Sequence, residues 1–132
     1  MKAGSNVAEI LSYDDPDLAR RVEQLSAADI DALTFGAIRI SSPDETVTHY
    51  SEAERRLSGS GNRPRLGLNF FRDIAPCMDN DQYRGRIAQA MARGTLDLEF
   101  THIGDFDDRE RELTVRVQSA SDGGYWVFMQ RK

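Results

Sequence analysis

The hydrophobic positions of this chain fall into strand-like segments on either side of a helical middle. Five short segments have the apolar and β-branched character of strands, at residues 33–40, 46–50, 96–103, 111–119 and 125–130. Between the second and the third segment, the apolar residues recur with helical spacing. This order predicts an α+β domain with one central antiparallel sheet of five strands and its helices mainly on one face.

Capping signals predict where the middle helices begin. Ser51 and Glu54 have capping-box spacing, so a short helix should start at Ser51. Asp79 and Gln82 have the same spacing and predict the start of a longer helix. The apolar face of that helix comprises Tyr83, Ile87 and Met91.

Residues 1–33 form a separate helical preface in this interpretation. Pro16 stands in the first turn of one predicted helix, and Ser26 with Asp29 marks the start of the next. Both helices are short and only modestly apolar, so they must lie against the domain that follows. We therefore divide the chain into an N-terminal helical cap, 1–33, and a domain of residues 34–132.

Composition narrows the class of protein. The 132 residues are enough for one domain with a real core, and the net charge of −5 argues against a general nucleic-acid backbone binder. No apolar run is long enough to span a bilayer, and the polar N-terminus lacks a secretion signal. A single cysteine without an export signal predicts a cytoplasmic protein without a membrane partner.

The segment that ends in this cysteine carries the most specific chemistry. Cys77 cannot form an internal disulfide, so it is either core filling or a chemical handle. The adjacent aromatics Phe70 and Phe71 should serve two different packed surfaces. Pro76 restricts the backbone just before the thiol. We therefore expect Cys77 to be presented at a defined angle inside an apolar pocket.

Three stretches carry a resemblance to a known family. They are Phe35-Gly36-Ala37-Ile38, the segment Asn69-Phe70-Phe71-Arg72-Asp73-Ile74-Ala75-Pro76-Cys77, and Tyr125-Trp126-Val127-Phe128. The chain resembles the photoactive yellow protein family of blue-light sensors from about residue 30 to residue 131. The resemblance implies a PAS-like fold for residues 34–132, with residues 1–33 as the cap, and a photoreceptor rather than an enzyme.

The resemblance also implies a chromophore site. Cys77 would carry 4-hydroxycinnamic acid (p-coumaric acid) as a thioester, Tyr50 and Glu54 would hydrogen-bond its phenolic oxygen, and Ser58 would support Tyr50 from behind. The implied pocket walls are Ile38, Phe70, Ile74, Ala75 and Pro76. No catalytic residue and no metal ligand is implied.

A light cycle follows from the same resemblance. Isomerisation of the chromophore would lead Glu54 to give up its proton and become a buried carboxylate. An unpaired buried charge costs several kcal/mol, which is comparable with the stability of a small domain. We expect the weakly anchored cap to loosen in response and to act on a downstream signalling protein that the sequence does not identify. The photoreceptor itself is expected to be a monomer or a weak dimer.

Other interpretations remain open from the residues alone. Glu54 also fits an ordinary helix-capping acid, and Tyr50 a half-buried strand tyrosine. A PAS-like binding or dimerisation module without chromophore is the main alternative. A thiol enzyme would need a base near Cys77, and His49 and His102 lie on predicted strands with no evident route to it.

The chain departs from the family pattern at three places. Arg39 replaces an apolar wall residue, which is why Ile38 is assigned to the pocket. Ser60 stands where some members have an arginine that covers the pocket. The turn Gly104–Arg109 lacks the family's aromatic and methionine residues, which predicts slower recovery in the dark.

Overall fold

A computed structural model describes residues 11–59, 61–104 and 112–131, without the side chains of residues 102–104. Its five strands are β1 Gly36–Ile40, β2 Val47–Tyr50, β3 Asp97–Gly104, β4 Glu112–Ser119 and β5 Tyr125–Arg131. They form one sheet in the order β2-β1-β5-β4-β3, and all neighbours are antiparallel. The predicted five-stranded antiparallel sheet is confirmed. The predictions about Ser60, the side chain of His102 and most of the turn after Gly104 lie outside the described residues.

Four α-helices accompany the sheet in the described part of the chain. They are α1 Leu18–Val22, α2 Ala27–Asp31, α3 Glu52–Ser58 and α4 Arg86–Ala92. The predicted caps of α2 and α3 are confirmed, because Ser26 and Ser51 each accept a backbone hydrogen bond of 3.1 Å from the third helical residue.

The prediction that Asp79 caps the next helix is wrong. The side chain of Asn80 accepts from the backbone amides of Gln82 and Tyr83, at 3.0 and 3.1 Å. A π-helical turn, Asp81–Gly85, then leads into α4. Both residues offer a carboxylate or amide oxygen, so sequence spacing alone did not distinguish them.

The two faces of the sheet pack against different parts of the chain. Side chains alternate along each strand, so Ile38 and Val127 point to one face, and Ala37 and Phe128 to the other. We call the first the site face, because it packs against the segments between β2 and β3, including the one that holds Cys77. We call the second the cap face, because it packs against residues 11–33.

The cap is held by both apolar and polar contacts. Leu18 and Val22 are completely buried against the cap face. Arg116 on β4 donates to the backbone carbonyls of Tyr13 and Asp15, at 2.9 and 2.6 Å. Gln118, two residues further on, accepts a 2.8 Å hydrogen bond from the amide of Ala19 and donates to the Pro16 carbonyl at 3.0 Å. The expectation of a weakly anchored cap is therefore wrong for residues 11–33.

Two acidic side chains of the cap reach beyond it. Glu23 accepts hydrogen bonds from the Ser121 amide at 3.0 Å and from the Trp126 indole at 2.9 Å. Asp31, the last residue of α2, accepts a 3.2 Å hydrogen bond from the amide of Glu52 at the start of α3. The cap thus touches the hairpin before β5 and the helix that carries Glu54.

Candidate functional site

Two buried hydroxyl groups form the polar end of the candidate site. Tyr50 is the last residue of β2 and Ser58 the last of α3, and both are almost fully buried. Their hydroxyl oxygens lie 3.4 Å apart, and either can be the donor. The helix that begins directly after β2 folds back over the strand and brings these two residues together.

Two arginines lie against the ring of Tyr50. The guanidinium groups of Arg55 and Arg65 are 5.4 and 5.9 Å from the ring centroid, within the range of cation–π contacts. Arg55 also donates to the carbonyls of Gly61 and Arg63, at 3.2 and 2.7 Å, which fixes the loop after α3. Sequence reasoning missed both arginines, because nothing in the local pattern separates them from arginines on the surface.

Glu54 is completely buried and is paired with the last residue of β5. Its two carboxylate oxygens accept from the two terminal nitrogens of Arg131, each at 2.8 Å. The side chain of Arg131 is only 2% exposed. This is the bidentate arrangement in which a guanidinium binds a carboxylate most strongly. Sequence reasoning missed Arg131 as well.

The pairing changes the expectation for Glu54. In this geometry Glu54 is an acceptor, whereas the role implied by the family resemblance requires it to donate a proton. A carboxylate here has a guanidinium partner, so the cost expected for an unpaired buried charge does not apply to this arrangement. Any account of Glu54 as a proton donor must therefore include Arg131.

The thiol of Cys77 is exposed, contrary to the expectation that a pocket encloses it. Cys77 lies in a single 3-10 turn, Pro76–Met78, whose neighbours Ala75 and Met78 are buried in the core. Because the core takes up these two side chains, the turn directs Pro76 and Cys77 outward. Nearby protein atoms still desolvate the sulfur in part, and this burial raises the pKa of the thiol.

Four of the five expected wall residues share one core cluster with Tyr50. Ile38, Phe70 and Ala75 are completely buried and Ile74 nearly so, whereas Pro76 is exposed. Phe70 and Phe71 contact each other edge to face, with ring centroids 5.1 Å apart. They belong to the same cluster, so the expectation that they serve two different surfaces is wrong. A π-helical turn, Phe70–Ile74, allows both rings to point into it.

Metal chemistry and membrane insertion have no structural counterpart in the described part of the chain. No cluster of three or more His, Cys, Asp or Glu side chains with metal-binding geometry occurs among the described residues. None of the described helices has the length and apolar character needed to cross a bilayer. The candidate site consists of buried polar side chains, Tyr50, Glu54 and Ser58, beside an apolar cluster. The exposed thiol of Cys77 lies at the edge of that cluster.

The sheet order and the helices on the site face define a PAS-like α+β fold. No family model matches the chain. Photoactive yellow protein from Rhodothalassium salexigens is 32% identical over 93% of this chain and 98% of its own length. Photoactive yellow protein from Halochromatium salexigens is 29% identical over 92% and 98%. The chain therefore belongs to the photoactive yellow protein family, a family of photoreceptors.

A solved structure agrees with this assignment. The photoactive yellow protein domain of the sensor histidine kinase Ppr from Rhodospirillum centenum is 31% identical to the chain. It superposes with a TM-score of 0.74 and covers 85% of this chain and 98% of that domain. The predicted family and the predicted PAS-like fold are both confirmed.

Proposed function

We propose that this protein is a blue-light photoreceptor that carries 4-hydroxycinnamic acid as a thioester on Cys77. The observation that carries the proposal is the buried pair of Tyr50 and Ser58 hydroxyls beneath two guanidinium groups. Hydroxyl donors and nearby positive charge favour a phenolate oxygen, and the surrounding apolar cluster suits an aromatic ring. When bound, this group would supply the absorption of light and a double bond that isomerises.

Cys77 is the residue that would attach the chromophore. Its thiolate attacks the carbonyl carbon of an activated ester, and the leaving group departs with its electron pair. Because burial raises the pKa of the thiol, only a small fraction is thiolate at neutral pH. Labelling should therefore become faster as the pH rises towards alkaline values.

Tyr50, Ser58, Arg55 and Arg65 would hold the phenolic oxygen as an anion in the dark. Tyr50 can donate its hydroxyl hydrogen to that oxygen while accepting one from Ser58. The two arginines add positive charge beside the Tyr50 ring without needing to touch the oxygen. Ile38, Phe70, Ile74 and Ala75 would exclude water from the ring.

Glu54 would provide the proton that the light cycle requires. The domain formed by residues 34–132 would respond to this proton transfer, and the cap, residues 1–33, would loosen as the signal. The hydrogen bond from the Glu52 amide to Asp31 supports this proposal, because it joins the helix of Glu54 directly to the cap. The downstream partner would be a signalling protein. The kinase-borne domain that resembles this chain is consistent with such a partner.

The first experiment is reconstitution of the purified full chain. An activated ester of 4-hydroxycinnamic acid is added to the protein and to Cys77→Ala, and mass and visible absorption are recorded. We expect a mass gain of one chromophore and a visible band that bleaches in light, both absent from Cys77→Ala. No adduct, or an adduct that absorbs only as a neutral phenol, would favour the chromophore-free PAS-like module instead.

The proton step has its own test. In the labelled protein, we expect Glu54→Gln to diminish the light-induced increase in hydrogen exchange across residues 11–33. Gln keeps the size of the side chain but cannot give up a proton. An undiminished increase in exchange would show that the response does not depend on ionisation of Glu54.

A further inference from the structure

We propose that Arg131 is the counter-ion that determines whether Glu54 is a carboxylate or a carboxylic acid, and that it thereby controls the proton available to the site. The consequence of this inference for light sensing rests on the proposed function. Its core, the protonation state of one buried side chain, can be measured without any chromophore.

The position of Arg131 explains why it reaches Glu54. The pairing of β1 with β5 extends to Gly36 and Met129, so Arg131 lies two residues beyond the last pair. On its other side it pairs with Leu113 of β4, which fixes the backbone that carries the guanidinium. A side chain at this point of the site face extends over the end of β1 towards α3.

Because Gly36 has no side chain, it leaves the space on β1 that the carboxylate of Glu54 occupies. A Cβ atom added to Gly36 would lie 1.8 Å from Oε1 of Glu54, far inside van der Waals contact. The carboxylate therefore rests directly on the backbone of β1, between α3 and β5. Since any side chain at Gly36 would displace it, the glycine of the Phe35-Gly36-Ala37-Ile38 motif is a structural requirement of the ion pair.

The chemistry of the pair favours the ionised form of Glu54. A guanidinium stays charged at every pH that proteins experience, and it presents two donors to the two carboxylate oxygens. Opposite charge and hydrogen bonds to the charged form both favour ionisation, whereas burial alone would oppose it. With both side chains almost fully buried, the pair has no net charge and leaves the carboxylate compensated.

A carboxylate and a carboxylic acid at position 54 have opposite consequences for the site. The carboxylate can accept further hydrogen bonds but can donate none, and it repels a nearby phenolate. The acid can donate to a phenolate, but it needs the guanidinium less. Binding to Arg131 and binding of a proton are therefore competing ways to stabilise the Glu54 side chain.

The test uses the full chain without chromophore. The carbonyl stretch of protonated carboxyl groups is recorded by infrared spectroscopy at neutral pH, and the spectrum of the matching Glu54→Gln protein is subtracted to isolate Glu54. We expect no carboxylic acid signal from Glu54 in the unsubstituted chain and a clear one in Arg131→Met. Arg131→Lys keeps the positive charge and should retain the ionised form.

The control is Arg20→Met, which removes the same charge from an exposed pair with Asp17 and should leave the signal absent. A Glu54 acid signal in the unsubstituted chain, or none in a folded Arg131→Met protein, would overturn the inference. If Arg131→Met does not fold, Arg131→Gln supplies the same comparison with a side chain that retains hydrogen-bond donors.

The labelled protein adds a second measurement. Where the adduct forms, the phenolate competes with Arg131 for Glu54, because only the carboxylic acid can donate to the phenolate. Arg131→Met removes this competition and should lower the pH at which the visible band converts to that of the neutral phenol by about one unit. If the infrared result is as expected but the conversion pH is unchanged, Glu54 does not interact with the phenolic oxygen. That result would count against the role of Glu54 in the proposed function. Failure to label Cys77 would count only against the photoreceptor proposal.

Discussion

Two buried arginines on neighbouring strands differ in their main partners. Arg116 points to the cap face of β4 and donates to the backbone carbonyls of Tyr13 and Asp15, which are neutral and cannot titrate, with only a longer contact of 3.4 Å to the half-exposed carboxylate of Asp97. Arg131 points to the site face of β5 and donates to a carboxylate, which can. Both side chains are at most slightly exposed, so the difference lies in the acceptor and not in burial.

The two arginines therefore have different roles: Arg116 fixes the position of the cap, and Arg131 compensates the charge of Glu54. The contacts of Arg116 with the carbonyls of Tyr13 and Asp15 fix where the start of the cap runs, and these acceptors do not titrate. The contact of Arg131 depends on whether Glu54 holds a proton. A chemical change on the site face can therefore alter its own polar contacts, whereas the cap face responds only if a group that bridges the two regions moves.

The largest effect is expected from Gly36→Ala. The new methyl group would displace the Glu54 carboxylate and break its buried pair with Arg131, at a cost of about 3 kcal/mol in the free energy of unfolding. Urea unfolding measures this loss.

Two control variants sharpen that result. Gly85→Ala meets only ordinary van der Waals contacts and should stay within about 1 kcal/mol of the original protein. Combining Gly36→Ala with Glu54→Ala removes the contacts with the carboxylate, so the methyl group, which then meets only the Cβ atom of residue 54 at 3.1 Å, should cost much less than in Gly36→Ala alone. A Gly36→Ala protein as stable as the original would show that the carboxylate does not lie on β1.

The next largest effect is expected from Arg116→Met. It leaves the buried carbonyl of Tyr13 without its donor and the carbonyl of Asp15 with only the 3.2 Å hydrogen bond from the Leu18 amide, at a cost of about 2 kcal/mol in total. We expect faster proteolysis within residues 11–33, with labelling of Cys77 unchanged. Arg20→Met, the exposed control, should change neither. Slower labelling in Arg116→Met would mean that the two faces are coupled more closely than their contacts indicate.

The smallest effect is a pH dependence centred on Glu23. Burial by itself raises the pKa of Glu23, but hydrogen bonds from Ser121 and Trp126 and the charge of Arg39 outweigh it, so the net pKa is lowered. The stabilisation is thus complete above the ordinary glutamate pKa of about 4.3 and is lost as the pH falls through the lower folded-state value.

Tryptophan fluorescence can follow this titration, because Trp126 is the only tryptophan and donates to Glu23. In Glu23→Gln, unfolding stability should depend less on pH below about 4. An equally steep dependence in Glu23→Gln would assign the acid sensitivity to other carboxyl groups.

Local signals predicted the elements of the fold well. The caps at Ser26 and Ser51 and the five strands follow from side chains within a few residues of one another, where spacing determines geometry. The prediction of Asp79 as the cap was wrong because the neighbouring Asn80 can also cap a helix and only the path of the backbone selects one. The anchoring of the cap depends on Arg116, which lies 103 residues from Tyr13, so no local pattern could reveal it.

The site was predictable only where one segment carries it. Tyr50, Glu54 and Ser58 were assigned from the family resemblance, and the spacing of Tyr50 and Glu54 across one turn from strand to helix agreed with it; their roles stay predictions. Arg131 lies 77 residues from Glu54 and meets it only through the sheet order, which places β5 beside β1. The exposure of Cys77 was missed for a related reason. It depends on which neighbours the core takes up, and sequence spacing does not determine that choice.

The hydrogen bond from the Glu52 amide to Asp31 connects the start of α3 directly to the cap. The first turn of α3 is tethered to the last residue of α2, while Glu54 stands only two residues further along α3. A tilt or slide of α3 would pull on the cap at that tether without deforming the sheet between the two faces. The distance along α3 from Glu54 to the residue that binds the cap is therefore less than one turn of helix.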